Sequence, residues 1–168
     1  DSIGRVLPEI LADRVNENTG LVSIMHVNNE TGAVNDIAAL VSAVKQKNPH
    51  TLFHSDGVQA FMHVCADMKS LNVDLYSVSA HKLHGPKGVG ALYIKKGTPF
   101  RPYLLGGGQQ RGLRSGTVNT PGILGFAKAV EELKSPERFA AQLNEVKQEY
   151  LRRLTALPDT QVLGDAAA

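Results

Sequence analysis

The sequence predicts an α/β fold in which a mostly parallel sheet is flanked by helices. Short runs rich in branched residues alternate with segments whose apolar residues repeat at helical spacing, a pattern typical of βα units. The chain has 168 residues, of which 42% are hydrophobic. A chain of this length and composition can bury one substantial core. Polar residues follow several of the strand-like runs directly, which indicates a site at one edge of the sheet.

The first half of the chain alternates helix and strand. Pro8 near the start and Gly20 beyond the end suit a first helix, and Asp36 is a plausible cap for the second. Asn48-Pro49 ends that second helix. We therefore expect a helix over 7–15, a strand over 21–27, a loop over 28–35, a helix over 36–47 and a strand over 51–56.

The second half continues the alternation and then changes. Residues 98–120 have no clear period and contain five glycines, which favours a functional loop. Thr120 is a plausible cap, with Pro121 at the first helical position. We expect a short helix over 66–71, strands over 73–80 and 89–94, a helix from Thr120, and a long amphipathic helix that begins at Ser135-Pro136.

Bulk properties exclude several classes of protein. The net charge of +2 is too small to indicate nucleic-acid binding, and no apolar stretch approaches the roughly 20 residues that span a bilayer. A single cysteine, Cys65, excludes an internal disulfide framework and suits the reducing cytoplasm. The chain begins at Asp1 and stops near what resembles a new strand, so we expect a piece of a longer protein.

Polar groups at the strand ends suggest cofactor chemistry. Lys82, if partly desolvated, is a nucleophilic amine that can form a Schiff base with the aldehyde of pyridoxal 5'-phosphate (PLP). Asp56 can pair with the PLP pyridine nitrogen, which keeps the ring an electron sink. Ser79 and His81 lie close enough to Lys82 to bind the phosphate, and Gln59 can donate to the phenolic oxygen. Each residue alone has an ordinary alternative as a surface, turn or core residue.

Other interpretations of the sequence are weaker. His63 and Cys65 resemble a metal pair faintly, but no matching second half has zinc-site spacing, and we expect no metal. Gly106–Gly108 lacks the strand–glycine–helix context of a nucleotide loop. Cys65 lies in an apolar stretch, where cysteine usually acts as a small buried hydrophobe.

Four ordered motifs together resemble the cysteine desulfurases of the class V aminotransferase group, which are PLP enzymes with the aspartate-aminotransferase-like fold. The resemblance runs from about Leu21 to Phe126, and its motifs are LVSIMHVNNETGAVNDI, FHSDGVQA, SVSAHKLHGPKGVGALYI and GGGQQRGLRSGTVNTPGI. It implies that residues 1–160 are the central part of a PLP-binding large domain. Residues 161–168 would then begin a C-terminal small domain.

The resemblance implies a homodimer that removes sulfur from L-cysteine. It would leave L-alanine and an enzyme persulfide, which passes to an acceptor or scaffold protein for iron–sulfur cluster assembly or thiolation. Lys82 would hold the cofactor and move protons. Asn29 would lie near the cofactor oxygen and the substrate carboxylate, and Thr117 would reach the phosphate in the partner subunit. The full implied set of cofactor residues is Asn29, Asp56, Gln59, Ser79, His81, Lys82 and Thr117.

One departure from the family pattern limits this expectation. The family's persulfide cysteine lies on a mobile loop downstream of the RSGT motif, and Cys65 does not match it. We therefore expect that this chain alone does not desulfurate cysteine. A selenocysteine lyase, another class V aminotransferase, and a non-catalytic degenerate or scaffold domain are the alternatives. Seven matching site identities argue against a decayed site.

Overall fold

The structure is a computed structural model that describes residues 1–64, 66–133 and 136–164. In this part of the chain, one sheet is formed by strands β1 (Leu21–Met25), β2 (Leu52–Asp56), β3 (Leu75–Ser79) and β4 (Gly90–Ile94). The helices are α1 (Pro8–Ala12), α2 (Ile37–Lys47), α3 (Met68–Leu71), α4 (Thr120–Glu132) and α5 (Pro136–Leu154). Two 3-10 helices lie at Ala80–Leu83 and Gln110–Gly112.

The sheet is mostly parallel, which confirms the predicted fold class. Its strand order is β1-β2-β3-β4, with the first three strands parallel and β4 antiparallel to β3. Met25, Asp56 and Ser77 lie side by side across β1, β2 and β3. The carboxyl ends of the three parallel strands therefore meet at one edge, where ligands bind in sheets of this kind.

Helix α2 supplies most of the core against this sheet. Four residues of α2 at helical spacing are fully buried, namely Ile37, Leu40, Val41 and Val44. They pack with Phe53 and Tyr76 from the sheet. The predicted cap is confirmed, because the side chain of Asp36 accepts a hydrogen bond from the amide of Ala39 at 3.0 Å. The amphipathic pattern of this segment thus determined both its structure and its orientation.

Two predicted helical details differ from the structure. Helix α1 ends at Ala12, and the side chain of Asn16 then accepts from the amide of Asn18, forming a turn instead of a further helical turn. Thr120 was wrong as the cap of α4: Asn119 caps it by accepting from Gly122 at 3.1 Å. Asparagine is among the strongest N-caps, and here it precedes the threonine by one residue.

Apolar side chains remain exposed outside the core. Leu21 at the start of β1 is exposed, because β1 is an edge strand of the described sheet. On α5, Val146 is 70% exposed and Leu143 and Tyr150 are also exposed. Cys65, which was expected to be a small buried hydrophobe, lies outside the described residues. None of the described helices is long and apolar enough to cross a membrane.

Candidate active site

Asp56 is the last residue of β2, and hydrogen bonds hold both its backbone carbonyl and its side-chain carboxylate. Its carbonyl oxygen accepts from the amide of His26 at 2.9 Å, and its carboxylate oxygen Oδ1 accepts from the amide of Val58 at 2.9 Å. The half-buried side chain thus has a fixed direction. Within the described residues, its second oxygen, Oδ2, accepts no hydrogen bond. A carboxylate with one satisfied and one open oxygen can pair with a protonated ring nitrogen.

Lys82 lies on the 3-10 helix that follows β3. Ala80 and Leu83 of this helix are buried, and these two anchors leave His81 and Lys82 on the exposed side. The hydroxyl of Ser79 and Nδ1 of His81 share a hydrogen bond at 2.7 Å. The predicted phosphate-binding pair is therefore brought together directly beside the lysine.

Helix α4 supports this lysine-bearing segment. It packs against the 3-10 helix, and a Cβ added at Gly125 would lie 2.6 Å from Cγ of Pro86. The segment turns back at His84, which has a left-handed backbone with φ of 61°, and the amide of Gly85 donates to the carbonyl of Ala80 at 3.0 Å. Glycine at position 125 thus permits the close approach that fixes the base of the segment.

His63 joins the turn after β2 to the lysine. Its Nε2 donates to the carbonyl oxygen of Lys82 at 3.4 Å. Gln59 lies half-buried in the same turn, which the amides of Ala60 and Phe61 close onto the carbonyl of Gly57. The sequence had offered His63 only as half of a weak metal pair. In the part of the chain that the structure describes, no three His, Cys, Asp or Glu side chains group to hold a metal ion.

Asn29 and Thr117 lie on two other, exposed segments of the chain. Asn29 is exposed in the turn after β1, which the side chain of Asn28 stabilises by accepting from the amides of Glu30 and Thr31. Its own amide donates to the carboxylate of Glu30 at 2.8 Å. Thr117 is exposed in the glycine-rich segment. Among the described residues, no hydrogen bond joins either side chain to the strand-end cluster.

A histidine beside Asp56 was not identified from the sequence. His54 bridges three strands: its Nδ1 shares a hydrogen bond with the hydroxyl of Ser23 at 2.7 Å, and its Nε2 with that of Ser77 at 3.2 Å. Burial lowers the pKa of His54, although the nearby charge of Asp56 opposes this shift. The ring is therefore neutral near pH 7 and adds no positive charge beside Asp56.

The exposure of Lys82 differs from the sequence-based picture. The sequence-based hypothesis assumed that the amine of Lys82 is partly desolvated, whereas its side chain is exposed in the described structure. The cause is local, because the inward positions of the short 3-10 helix are taken by Ala80 and Leu83. Within the described residues, Lys82 is therefore not the partly desolvated residue that the sequence suggested.

The whole chain, residues 1–168, matches the family model described as aminotransferase class-V. The chain therefore belongs to the class V aminotransferase family.

Individual relatives of the chain share the name cysteine desulfurase. A cysteine desulfurase of Bradyrhizobium diazoefficiens is 42% identical over 170 residues, covering 98% of this chain and 42% of that relative. A cysteine desulfurase IscS of Clostridium botulinum is 48% identical over 131 residues, covering 78% of this chain and 32% of the relative. The chain thus spans less than half the length of these relatives.

Solved structures agree with the fold. A NifS-like protein superposes with a TM-score of 0.82 at 45% identity, over 93% of this chain and 42% of that one. The structure described as SspA in complex with cysteine gives a TM-score of 0.80 at 35% identity, over 90% of this chain and 43% of that one. The α/β architecture is therefore that of the NifS-like proteins.

Proposed function

We propose that this chain forms the cofactor-binding part of a PLP-dependent cysteine desulfurase, with Lys82 as the residue that holds PLP. The observation that carries the proposal is the arrangement at the sheet edge. Asp56 ends β2, and the hydrogen-bonded pair of Ser79 and His81 leads from the adjacent β3 to Lys82. The name shared by the curated relatives supports the same activity.

The residues present fit the donor set that PLP needs. The open Oδ2 of Asp56 suits the pyridine nitrogen, and Ser79 and His81 supply polar groups for the phosphate. Gln59 would donate to the phenolic oxygen, and Asn29 would contact the same oxygen and the substrate carboxylate. When bound, PLP supplies an electron sink for bond cleavage at the amino acid.

The chain's own side chains would carry out the proton transfer and hold the cofactor ring. Lys82 accepts and returns a proton at its Nζ, and Asp56 keeps its carboxylate charge beside the ring nitrogen. The neutral His54 adds no competing positive charge to this carboxylate.

The substrate and partners follow from the same proposal. L-cysteine is the substrate, which the relatives' name and the cysteine complex of SspA support. A homodimer would bring Thr117 to the cofactor phosphate of the partner subunit, and a sulfur acceptor or scaffold protein would receive the persulfide for cluster assembly or thiolation. We place this chemistry in the cytoplasm. The 168 residues alone would not release sulfur, because Cys65 does not match the family's persulfide cysteine.

A PLP titration with matched lysine variants tests the proposal. The absorbance of PLP should shift and saturate on addition of the chain, because the aldehyde reacts with the Nζ of Lys82. Lys82→Ala should abolish the saturable shift. Lys87→Ala, which removes another exposed lysine five residues along the same segment, should leave it intact. Equal shifts in both variants would contradict the assignment of Lys82.

L-cysteine tests the substrate. Its addition to the PLP-loaded chain should alter the absorbance again, because the substrate amine competes with Lys82 for the cofactor. The Lys87→Ala chain should respond in the same way. A PLP-loaded chain whose absorbance does not change on addition of L-cysteine would argue for another class V reaction.

A further inference from the structure

Tyr76 lies directly against the residue that follows Asp56. Its side chain is 1% exposed, on the face of the sheet that α2 covers. A Cβ added at Gly57 would lie 2.0 Å from Cε1 and Cζ of the Tyr76 ring. No side chain fits in that space, so glycine at position 57 and the aromatic ring at position 76 are complementary.

The hydroxyl of Tyr76 is bound by a second buried residue. It lies 2.9 Å from Nδ1 of His26, and the two rings meet edge to face with centroids 6.1 Å apart. Burial raises the pKa of Tyr76, and the charge of Asp56 raises it further. Burial lowers the pKa of His26, although the charge of Asp36 opposes this shift. Both groups are therefore neutral near pH 7, and the hydrogen bond joins two uncharged partners.

The same two residues hold the backbone around Asp56. The amide of His26 donates to the carbonyl of Asp56 at 2.9 Å. The next residue, Gly57, rests on the Tyr76 ring, and its amide donates to the carbonyl of Ser77 at 2.9 Å. The position of Gly57 in turn sets that of Val58, whose amide donates to Oδ1 of Asp56.

We infer that Tyr76 is a positioning residue for the Asp56 carboxylate. By fixing Gly57, it holds the amide of Val58 on Oδ1 and leaves Oδ2 for the ring nitrogen of the cofactor. The role of Oδ2 rests on the proposed function, whereas the placement of Val58 rests on the described contacts alone. If the Tyr76 ring served only to fill the core, its removal would lower the stability of the chain without moving the Asp56 carboxylate.

The first experiment needs no cofactor. In a ¹⁵N-labelled chain, the amide of Val58 should shift as the Asp56 carboxyl titrates, because the two groups share a hydrogen bond. Tyr76→Phe keeps the ring and should preserve that response. Tyr76→Leu removes the ring and should reduce its amplitude by about half or more. Amides of α2, such as that of Ala39, serve as the control for intact folding.

Gly57→Ala gives an independent arm of the same experiment. In the natural background the added methyl clashes with the ring, so the Val58 response should be lost. In the Y76L background the methyl has space, so Gly57→Ala should change the response little further. An unchanged Val58 response in Y76L, or equal effects of Gly57→Ala in both backgrounds, would overturn the inference.

A second experiment uses PLP labelled with ¹⁵N in its ring. The chemical shift of that nitrogen reports its protonation, which should persist in the chain and in Y76F and weaken in Y76L. Bound cofactor with the same ring shift in all three proteins would overturn the positioning role. If the unaltered chain takes up no PLP at Lys82, the proposed function fails, and the Val58 response alone decides the inference about Tyr76.

Discussion

The carboxylate of Asp74 joins α2 to the two strands that carry the site. Its Oδ2 accepts from Nζ of Lys45 at 2.7 Å and from the amide of Phe53 at 2.8 Å. The Asp74 side chain is 10% exposed and that of Lys45 is 26% exposed. Replacement of Asp74 by alanine therefore leaves two donors without their acceptor.

The cost of Asp74→Ala can be estimated from those two donors. The amide of Phe53 is buried, so its loss of an acceptor costs about 1–3 kcal/mol. Lys45 keeps the carbonyl of Thr51 at 2.8 Å and reaches solvent, so its loss adds only about 0.2–1 kcal/mol. Together, the two losses should lower the free energy of unfolding of Asp74→Ala by about 1–4 kcal/mol. Asp74→Asn keeps an acceptor for Phe53 and should cost about 1 kcal/mol.

Urea denaturation followed by circular dichroism measures both variants. The slope of the unfolding free energy against urea should be unchanged, so the midpoints should report stability directly. A midpoint for Asp74→Asn as low as that for Asp74→Ala would contradict this estimate, because the loss would then come from charge and not from the unsatisfied amide. A loss below about 0.5 kcal/mol for Asp74→Ala would refute it as well.

Three further predictions concern the core, a helix cap and pH. Leu40→Ala removes a fully buried side chain of α2 and should cost about 2–5 kcal/mol in urea denaturation; a smaller loss would mean that the sheet closes over the cavity. Asn119→Ala should cost about 1 kcal/mol by thermal unfolding, whereas Asn119→Asp should be nearly neutral, and equal losses would contradict capping. Burial lowers the pKa of His26 in the folded chain, so the unfolded chain binds the proton first as pH falls. Stability from this residue should be complete above the unfolded pKa of about 6.5 and decline below it, by at most about 1.4 kcal/mol per pH unit. His26→Asn should make the profile flatter, and an unchanged profile would exclude this histidine as the cause.

Helix α2 shows what a single sequence predicts well. Its four buried residues repeat at helical spacing, and Asp36 stands at its start, so local pattern and tertiary packing agree. The long helix α5 was predicted from the same kind of pattern, yet Val146 on its apolar stripe is exposed. Periodicity indicates which face is apolar, and it does not indicate what covers that face.

The site was predictable where the chain itself places residues together. Ser79, His81 and Lys82 are neighbours in sequence, and Asp56 ends a strand whose parallel partner leads to them. The bridge from His54 to Ser23 and Ser77 was missed. It depends on the register between strands, which links residues 31 and 23 positions apart and has no signal in one sequence.

The contact between Gly57 and Tyr76 was missed for a related reason. A glycine after a strand is ordinary turn chemistry, so the sequence gives no reason to suspect a ring against it. Only the alignment of β2 with β3 brings the two residues together. The exposure of Lys82 also depends on tertiary placement, because the adjacent Ala80 and Leu83 take the inward positions.

The most direct test of the central claim is to trap the cofactor on its lysine. The chain is incubated with PLP, reduced with borohydride and digested, and the pyridoxyl-modified peptides are mapped by mass spectrometry. We expect an adduct confined to Lys82, present at full yield in Lys87→Ala and absent in Lys82→Ala. Labelling spread over the exposed lysines, or an adduct that survives in Lys82→Ala at another position with equal yield, would contradict it.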